Sequence, residues 1–192
     1  ELYKDGLQRQ KFMDSIKFLK ERVDIHELNG DIDYRTRNII QLNNNNDTYS
    51  EENITSFISN NFGTDHLNSG EIEINNRRFE CKLALNNILW IEFSSFFREP
   101  TGSSDYKYIS DKFDWIFISN FNYCDDDSID LVRRFISFVD IAYMKKSKVK
   151  FFSTNIELPS LYVGKKIDNL WVRCSSRLKE MQNQEYFFQD KF

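Results

Sequence analysis

The sequence of 192 residues is poor in the residue types that most often announce chemistry. It holds three cysteines, Cys81, Cys124 and Cys174, and two histidines, His26 and His66. An odd, widely spaced set of cysteines excludes a disulfide framework and a zinc-ribbon spacing, and it suits reduced thiols in an intracellular compartment. Neither histidine stands at metal-ligand spacing from cysteines or carboxylates, so no metal site is expected. No apolar run approaches the ~18–20 residues that cross a bilayer. The opening segment lacks the basic, apolar and small-residue order of a secretory signal. A soluble protein without a transmembrane segment is therefore expected. The formal net charge of −4 removes the global basic field that concentrates nucleic acid, so no nucleic-acid partner is expected. A Gly-x-Ser-x-Gly nucleophile elbow is also missing.

The phosphate-binding elements of an NTPase are missing as well. A P-loop needs a glycine, four residues and then Gly-Lys-Ser/Thr, so that backbone N–H groups wrap the phosphates. Gly164-Lys165 is the only Gly-Lys pair; Pro159 stands where the first glycine belongs and Lys166 where the hydroxyl belongs. Trp115-Ile116-Phe117-Ile118 runs into Ser119-Asn120 rather than an acidic pair that would hold magnesium. By that route the sequence as it stands would not hydrolyse ATP alone.

What is present is a core and a succession of elements. Apolar residues make up 40% of the chain and aromatics 16%, enough for one packed domain or somewhat more. Phe12, Ile16 and Leu19 recur at helical spacing from Gln8 to Arg22 and predict an amphipathic helix, with a short strand through Val23, Ile25 and Leu28 after it. Asn43 to Asn46 predicts a surface loop. Thr48 to Glu51 has capping-box spacing ahead of Ile54, Phe57 and Ile58, which predicts a helix to about Asn61. Ile72 and Ile74, a turn at Asn75-Asn76, and Phe79, Cys81, Leu83 and Leu85 predict a β-hairpin, and Leu89 to Phe93 a further strand.

Beyond Gly102 the pattern predicts a helix over Ser104 to Phe113 and a buried strand at Trp115 to Ile118. Asp125 to Asp127 precede Ile129, Val132, Ile136, Val139 and Tyr143, which predict a long helix whose acidic start and basic end suit its dipole. Val149 to Ser153 then reads as a second strand, parallel to the first in a β-α-β unit. A closing helix is predicted over Trp171 to Phe187, with Leu178, Met181 and Tyr186 inward.

Arginines carry the remaining chemistry. Arg9 follows the glycine turn of Glu1-Leu2-Tyr3-Lys4-Asp5-Gly6-Leu7-Gln8 and heads a helix, a placement suited to meeting phosphate. Arg133, Arg134, Arg173 and Arg177 are fixed to regular elements, which favours bidentate contact with phosphate or carboxylate. Arg134 precedes Phe135 and Ile136 in a helix that reads as buried, so it calls for a carboxylate partner.

The blocks Leu2 to Arg9, Asp33-Tyr34-Arg35, Asp105-Tyr106, Arg133-Arg134-Phe135-Ile136 with Asp140 and Tyr143, and Ser176 to Met181 with Glu185-Tyr186 occur in the order found in ZapE-type AAA+ ATPases. The chain resembles the C-terminal half of that family of bacterial cell-division ATPases and their mitochondrial relatives. The resemblance implies an α/β fold, the C-terminal portion of a P-loop NTPase-related AAA+ protein, with a β-α-β unit, a β-hairpin insertion and a closing helix. It divides the chain into the end of the AAA+ core (1–42), a divergent loop, helix and hairpin insertion (43–103) and a C-terminal α/β module (104–192). It implies ATP and Mg²⁺ as cofactors of an intact protein, held by elements upstream of Leu2-Tyr3. Arg9 would be an arginine finger acting in trans, and Arg133, Arg134, Arg173 and Arg177 candidates for a second sensor or a subunit contact.

Neighbouring subunits of a homo-oligomer and protein partners such as division-machinery components are the implied partners. The implied place is the cytoplasm, with recruitment to the inner membrane or division site, or the mitochondrion in a eukaryote. The family carries a Phe-x-Phe-x-x-Leu-Cys-like block where this chain reads Phe93-Ser94-Ser95-Phe96-Phe97, so the middle of the chain departs from the pattern. A non-catalytic α/β protein-interaction domain is the alternative reading of the same residues. The coding sequence preceding Glu1 discriminates between the two.

Overall fold

A computed structural model describes residues 50–63, 70–153 and 156–188, with Phe18 and Arg22 besides. The chain divides into two compact units, Glu1–Asp31 and Ile32–Phe192. In the first, Phe18 and Arg22 are helical, and the Arg22 guanidinium lies 4.3 Å from the Phe18 ring centroid, one helical turn away. The expected strand after Arg22, the Asn43 to Asn46 loop and both histidines lie outside the described residues.

The first element described in the second unit is helix α1 (Glu51–Phe62). Its N-cap is Ser50, whose Oγ accepts the Asn53 N–H at 3.2 Å, so the cap falls two residues after Thr48. Gly63 ends the helix at φ 67, a left-handed position that glycine adopts without a Cβ penalty. Strands β1 (Gly70–Ile74) and β2 (Arg77–Cys81) form the expected hairpin, in register from Gly70↔Cys81 to Ile74↔Arg77. Asn75 and Asn76 both take positive φ, 51 and 61, as a two-residue type I′ turn requires.

The hairpin does not continue through Leu83 and Leu85. Its ladder ends where β1 begins, at Gly70, and the chain then bends at Lys82 to open a second sheet. That sheet has the order β3 (Leu83–Leu85), β4 (Ile88–Glu92), β5 (Trp115–Ser119), β6 (Lys148–Phe151). β3 pairs antiparallel with β4, while β4, β5 and β6 run parallel. The β-α-β unit of β5, helix α4 (Ile129–Met144) and β6 is therefore present, and it extends backwards to β4. The sheet thus runs across residue 103.

Between β4 and β5 stand helices α2 (Phe93–Arg98) and α3 (Ser103–Lys112). Phe93, expected to end a strand, instead opens α2: Phe93, Phe96 and Phe97 are all buried, Phe93 and Phe97 meet Phe135 edge to face and Phe96 meets Phe97, and these ring contacts reward helical over extended spacing. Helix α5 (Asp168–Met181) closes the chain, followed by a 3₁₀ turn at Gln184–Phe188. The expected helix to Phe187 breaks after Met181, yet Leu178, Met181 and Tyr186 are all buried as expected.

The sheet carries a core on each face. Leu89, Ile91, Ile116, Ile118, Val149 and Phe151 face the layer of α4 and its neighbouring helices. Alternate residues Ile88, Trp90, Trp115 and Phe117 face Ile54 and Ile58 of α1. Strands buried on both faces explain the near-continuous apolar runs of β4 and β5.

Candidate functional site

Helix α5 docks on α4 through a shared carboxylate. Asp140 on α4 takes Arg173 Nη2 on Oδ2 at 2.7 Å and Arg177 Nη1 on Oδ1. Residues 173 and 177 are one turn apart, so both guanidiniums reach the same acid. One turn beyond Asp140, Tyr143 donates its hydroxyl to Glu180 at 2.8 Å, and Arg177 lies 5.3 Å from the Tyr143 ring centroid. Hydrogen bonding to Glu180 is the first cause that raises the Tyr143 phenol above its usual value. In this arrangement Arg173 and Arg177 clamp two helices together.

Arg134 has a different partner from the carboxylate its sequence context suggested. Its Nη1 donates to the carbonyls of Phe97 at 3.2 Å and Arg98 at 3.1 Å, the last residues of α2. Carbonyls at a helix C-terminus have no intrahelical donor and carry partial negative charge, so they replace an acid as the partner of a guanidinium. Arg133, its neighbour, points to solvent and forms no ion pair among the described residues. The structure thus keeps the four arginines on two helices but brings only Arg173 and Arg177 together. Arg9 lies outside the described residues.

Asp105, half of the Asp105-Tyr106 block, is 1% exposed and joins three segments. Its Oδ1 accepts Asn75 Nδ2 at 2.9 Å, and its Oδ2 accepts Gly102 N–H at 2.8 Å and Arg77 Nη2. Burial by itself would raise the Asp105 carboxyl, but Arg77, Asn75 and the Gly102 N–H together hold it below the usual carboxylate value. Arg77 also donates to the Pro100 carbonyl at 2.7 Å. Tyr106 meets Thr101 Oγ1 at 2.8 Å, and burial pushes its phenol up to about 12. The block is a joint between the hairpin and α3.

The Gly164-Lys165 pair also has a structural role. The backbone N–H groups of Lys165 and Lys166 donate to Asp126 Oδ1 at 3.1 and 3.0 Å, and Tyr162 donates its hydroxyl to the same oxygen. The loop therefore wraps an anion, but the anion is a carboxylate of this chain. The Tyr162 hydroxyl, followed by the two backbone N–H groups, holds the Asp126 carboxyl below its usual value. Asp125 accepts the Asp127 N–H at 3.0 Å. Two acids of the triplet are thus committed to turns, and among the described residues no group of acids, histidines and cysteines could hold a metal.

A cavity of about 530 Å³ opens at the carboxyl ends of β4 and β5. Glu92, Ser119 and Asn120 line it from the strand ends and Glu51 from the first turn of α1. Lys82 stands beside it, its Nζ 3.0 Å from Glu51 Oε1 and 3.5 Å from Glu92 Oε1. The hydrogen bond to Glu51 is the largest cause that raises the Lys82 ammonium above its usual value. Sequence reasoning missed this cavity, although polar Glu92 and Ser119-Asn120 directly after two apolar strand runs are the signal that marks strand ends of this kind.

From Glu51 to Phe188 the described residues thus form a mixed α/β fold with two sheets and five α-helices. The chain belongs to the AFG1-like ATPase family, whose model matches residues 1–190. Cell division protein ZapE of Escherichia coli K12 is 28% identical over 192 residues, covering 97% of this chain and 50% of that protein. An uncharacterized protein of Schizosaccharomyces pombe is 26% identical over 84% of this chain and 37% of its own length. Lactation elevated protein 1 homolog B of Danio rerio is 29% identical over 78% of this chain and 31% of its own length. The chain spans half or less of these relatives. No solved structure matches it. Among the described residues no helix is long and apolar enough to cross a membrane.

Proposed function

We propose that this chain is part of an oligomeric AAA+ ATPase that couples ATP hydrolysis to remodelling of protein partners, in cell division or membrane-associated protein quality control. The observation that carries the reading is the match to the AFG1-like ATPase family along residues 1–190. Similarity to a cell division protein over 97% of the chain supports the cellular role.

The described residues do not themselves suit ATP and Mg²⁺. The cavity at the strand ends presents Glu51 and Glu92, which repel a triphosphate, and its nearest ammonium, Lys82, is already paired with both. The loop at Lys165 and Lys166, which could cradle a phosphate, holds Asp126 instead. We assign nucleotide and metal to elements upstream of Leu2-Tyr3, the place the family resemblance implies. Arg9 is the residue we assign to act in trans, because a guanidinium at that place in the family would meet charge on a neighbouring subunit's nucleotide. The pairing of Arg173 and Arg177 with Asp140 supports a helix-docking role, and exposed Arg133 is the better candidate of the four for a subunit contact.

The test is complementation in the protein that carries the nucleotide-binding elements. Arg9→Ala and a P-loop-inactivated variant, each inactive alone, should regain ATP turnover when mixed. Wild-type turnover by Arg9→Ala alone at all protein concentrations refutes the assignment.

A further inference from the structure

Arg133, Arg134, Arg173 and Arg177 do not line the cavity at the carboxyl ends of β4 and β5. Its volume of about 530 Å³ falls within the range of ligand pockets. Its position, outside the carboxyl ends of parallel strands, is where open α/β sheets bind ligands. Trp90, Phe121, Tyr123 and Phe152 give it aromatic wall.

Charge decides the ligand class. Glu51 and Glu92 each turn Oε1 to the single ammonium of Lys82, so two carboxylates face one cation and the lining stays negative. Phosphates and carboxylates are disfavoured there, and an alkylammonium or guanidinium group is favoured. Aromatic faces beside carboxylates hold such a cation by cation–π attraction and charge-assisted hydrogen bonds together.

Ser119 supplies an independent signal. It is 6% exposed and lines the cavity, and its Oγ accepts the Trp90 Nε1–H at 2.8 Å. Its own proton meets no acceptor among the described residues. A buried hydroxyl donor is normally satisfied, so the cavity asks its ligand for an acceptor as well as a cation. A free polyamine brings donors only. A polypeptide brings both, a basic side chain and a backbone carbonyl, and arginine is the better fit because its planar guanidinium stacks on aromatic rings and matches a carboxylate.

The geometry points to this cavity as the docking site for an arginine side chain of a partner polypeptide, with Glu92 and Glu51 receiving the guanidinium and Ser119 donating to a peptide carbonyl. The site does not depend on ATP turnover, so binding alone tests it and its failure leaves the ATPase reading standing.

The protein is titrated with acetyl-Arg-Gly-amide while the indole N–H resonances are followed, the Trp90 signal being identified by its loss in Trp90→Phe. The Trp90 signal should shift saturably. Glu92→Gln should weaken binding by about ten-fold through loss of a charge-assisted bond. Tyr123→Ala, at a residue 58% exposed and safe for folding, should weaken it about three-fold through loss of a ring contact. Thermal midpoints establish that each variant is folded, and Tyr123→Ala decides the matter should Glu92→Gln fail to fold. The proposal is overturned by the absence of a saturable shift or by wild-type affinity in the folded variants. Equal binding of acetyl-norleucine-Gly-amide removes the cation, and spermidine binding as tightly as the arginine peptide removes the polypeptide.

Discussion

Removing the Asp105 carboxylate should be among the more damaging single changes to this fold. Asp105→Ala strips the acceptor from Asn75, Gly102 N–H and Arg77 at once. Three bonds to a charged group at ~1.5–3 kcal/mol each set an upper limit near ~9 kcal/mol. Asn75 is exposed and the Arg77 side chain is 43% exposed, so both rehydrate in the variant and only the Gly102 N–H and a small void remain uncompensated. The expected loss is therefore about 2–4 kcal/mol, or about 5–15 °C in Tm for a chain of this size. Arg77→Ala should cost about 1 kcal/mol or less, because an ion pair with one half-exposed partner is weakened by solvent. Urea unfolding of wild type, both single variants and the double variant measures these values and the coupling between the two groups. An Asp105→Ala loss below about 1 kcal/mol, or an Arg77→Ala loss equal to it, refutes the reasoning. The folded-state pKa of Asp105 lies below its ordinary value of 3.8. Its contribution is accordingly full above that ordinary value and is lost as pH falls toward the folded pKa, so the stability gap between wild type and Asp105→Ala should close on acidification.

The helix clamp predicts that Asp140→Ala destabilises by about 1–3 kcal/mol, with Arg177→Ala costing more than the half-exposed Arg173→Ala, as read by urea midpoints. At Gly164 a Cβ would stand 2.4 Å from both Asp126 Oδ1 and the Tyr162 hydroxyl, so Gly164→Ala should expel the carboxylate from its loop and cost about 1–3 kcal/mol. Asp126→Ala combined with it should cost little more than either change alone, and additive losses would show that the two do not share one contact. Burial raises the thiols of Cys81, Cys124 and Cys174, Cys124 to about 11, so the native protein should resist a thiol reagent at neutral pH and react fully only when unfolded. Rapid modification of the native protein would contradict their placement in the core.

The elements defined by local rules were legible in advance. The hairpin turn follows from Asn75-Asn76, a residue type that takes left-handed φ readily, and α4 follows from the spacing of Val132, Ile136 and Val139 between acidic and basic ends. What misled was a short apolar run whose fate depends on a distant partner. Leu83 and Leu85 alternate as a hairpin would, but the described ladder with β1 ends at Gly70↔Cys81, and Leu83 and Leu85 pair with β4. Phe93 looks like the end of a strand until Phe135, 42 positions later, is placed against it. Arg134 looked like half of a salt bridge, because nothing local tells that the end of α2 lies beside it.

The same division holds for function. Sequence alone identified the family, because the blocks from Leu2 to Tyr186 keep their types and order whatever their contacts, and it marked the absence of a phosphate loop. Only the tertiary structure decided what those residues touch. It turned Arg173 and Arg177 inward onto Asp140 and filled the Gly164-Lys165 loop with Asp126. It also gathered Glu51, Glu92 and Ser119, from three separate segments, around one cavity. Spacing along a chain records only the period of a helix or a strand, whereas a site made from the ends of parallel strands exists once the crossovers have brought those ends side by side.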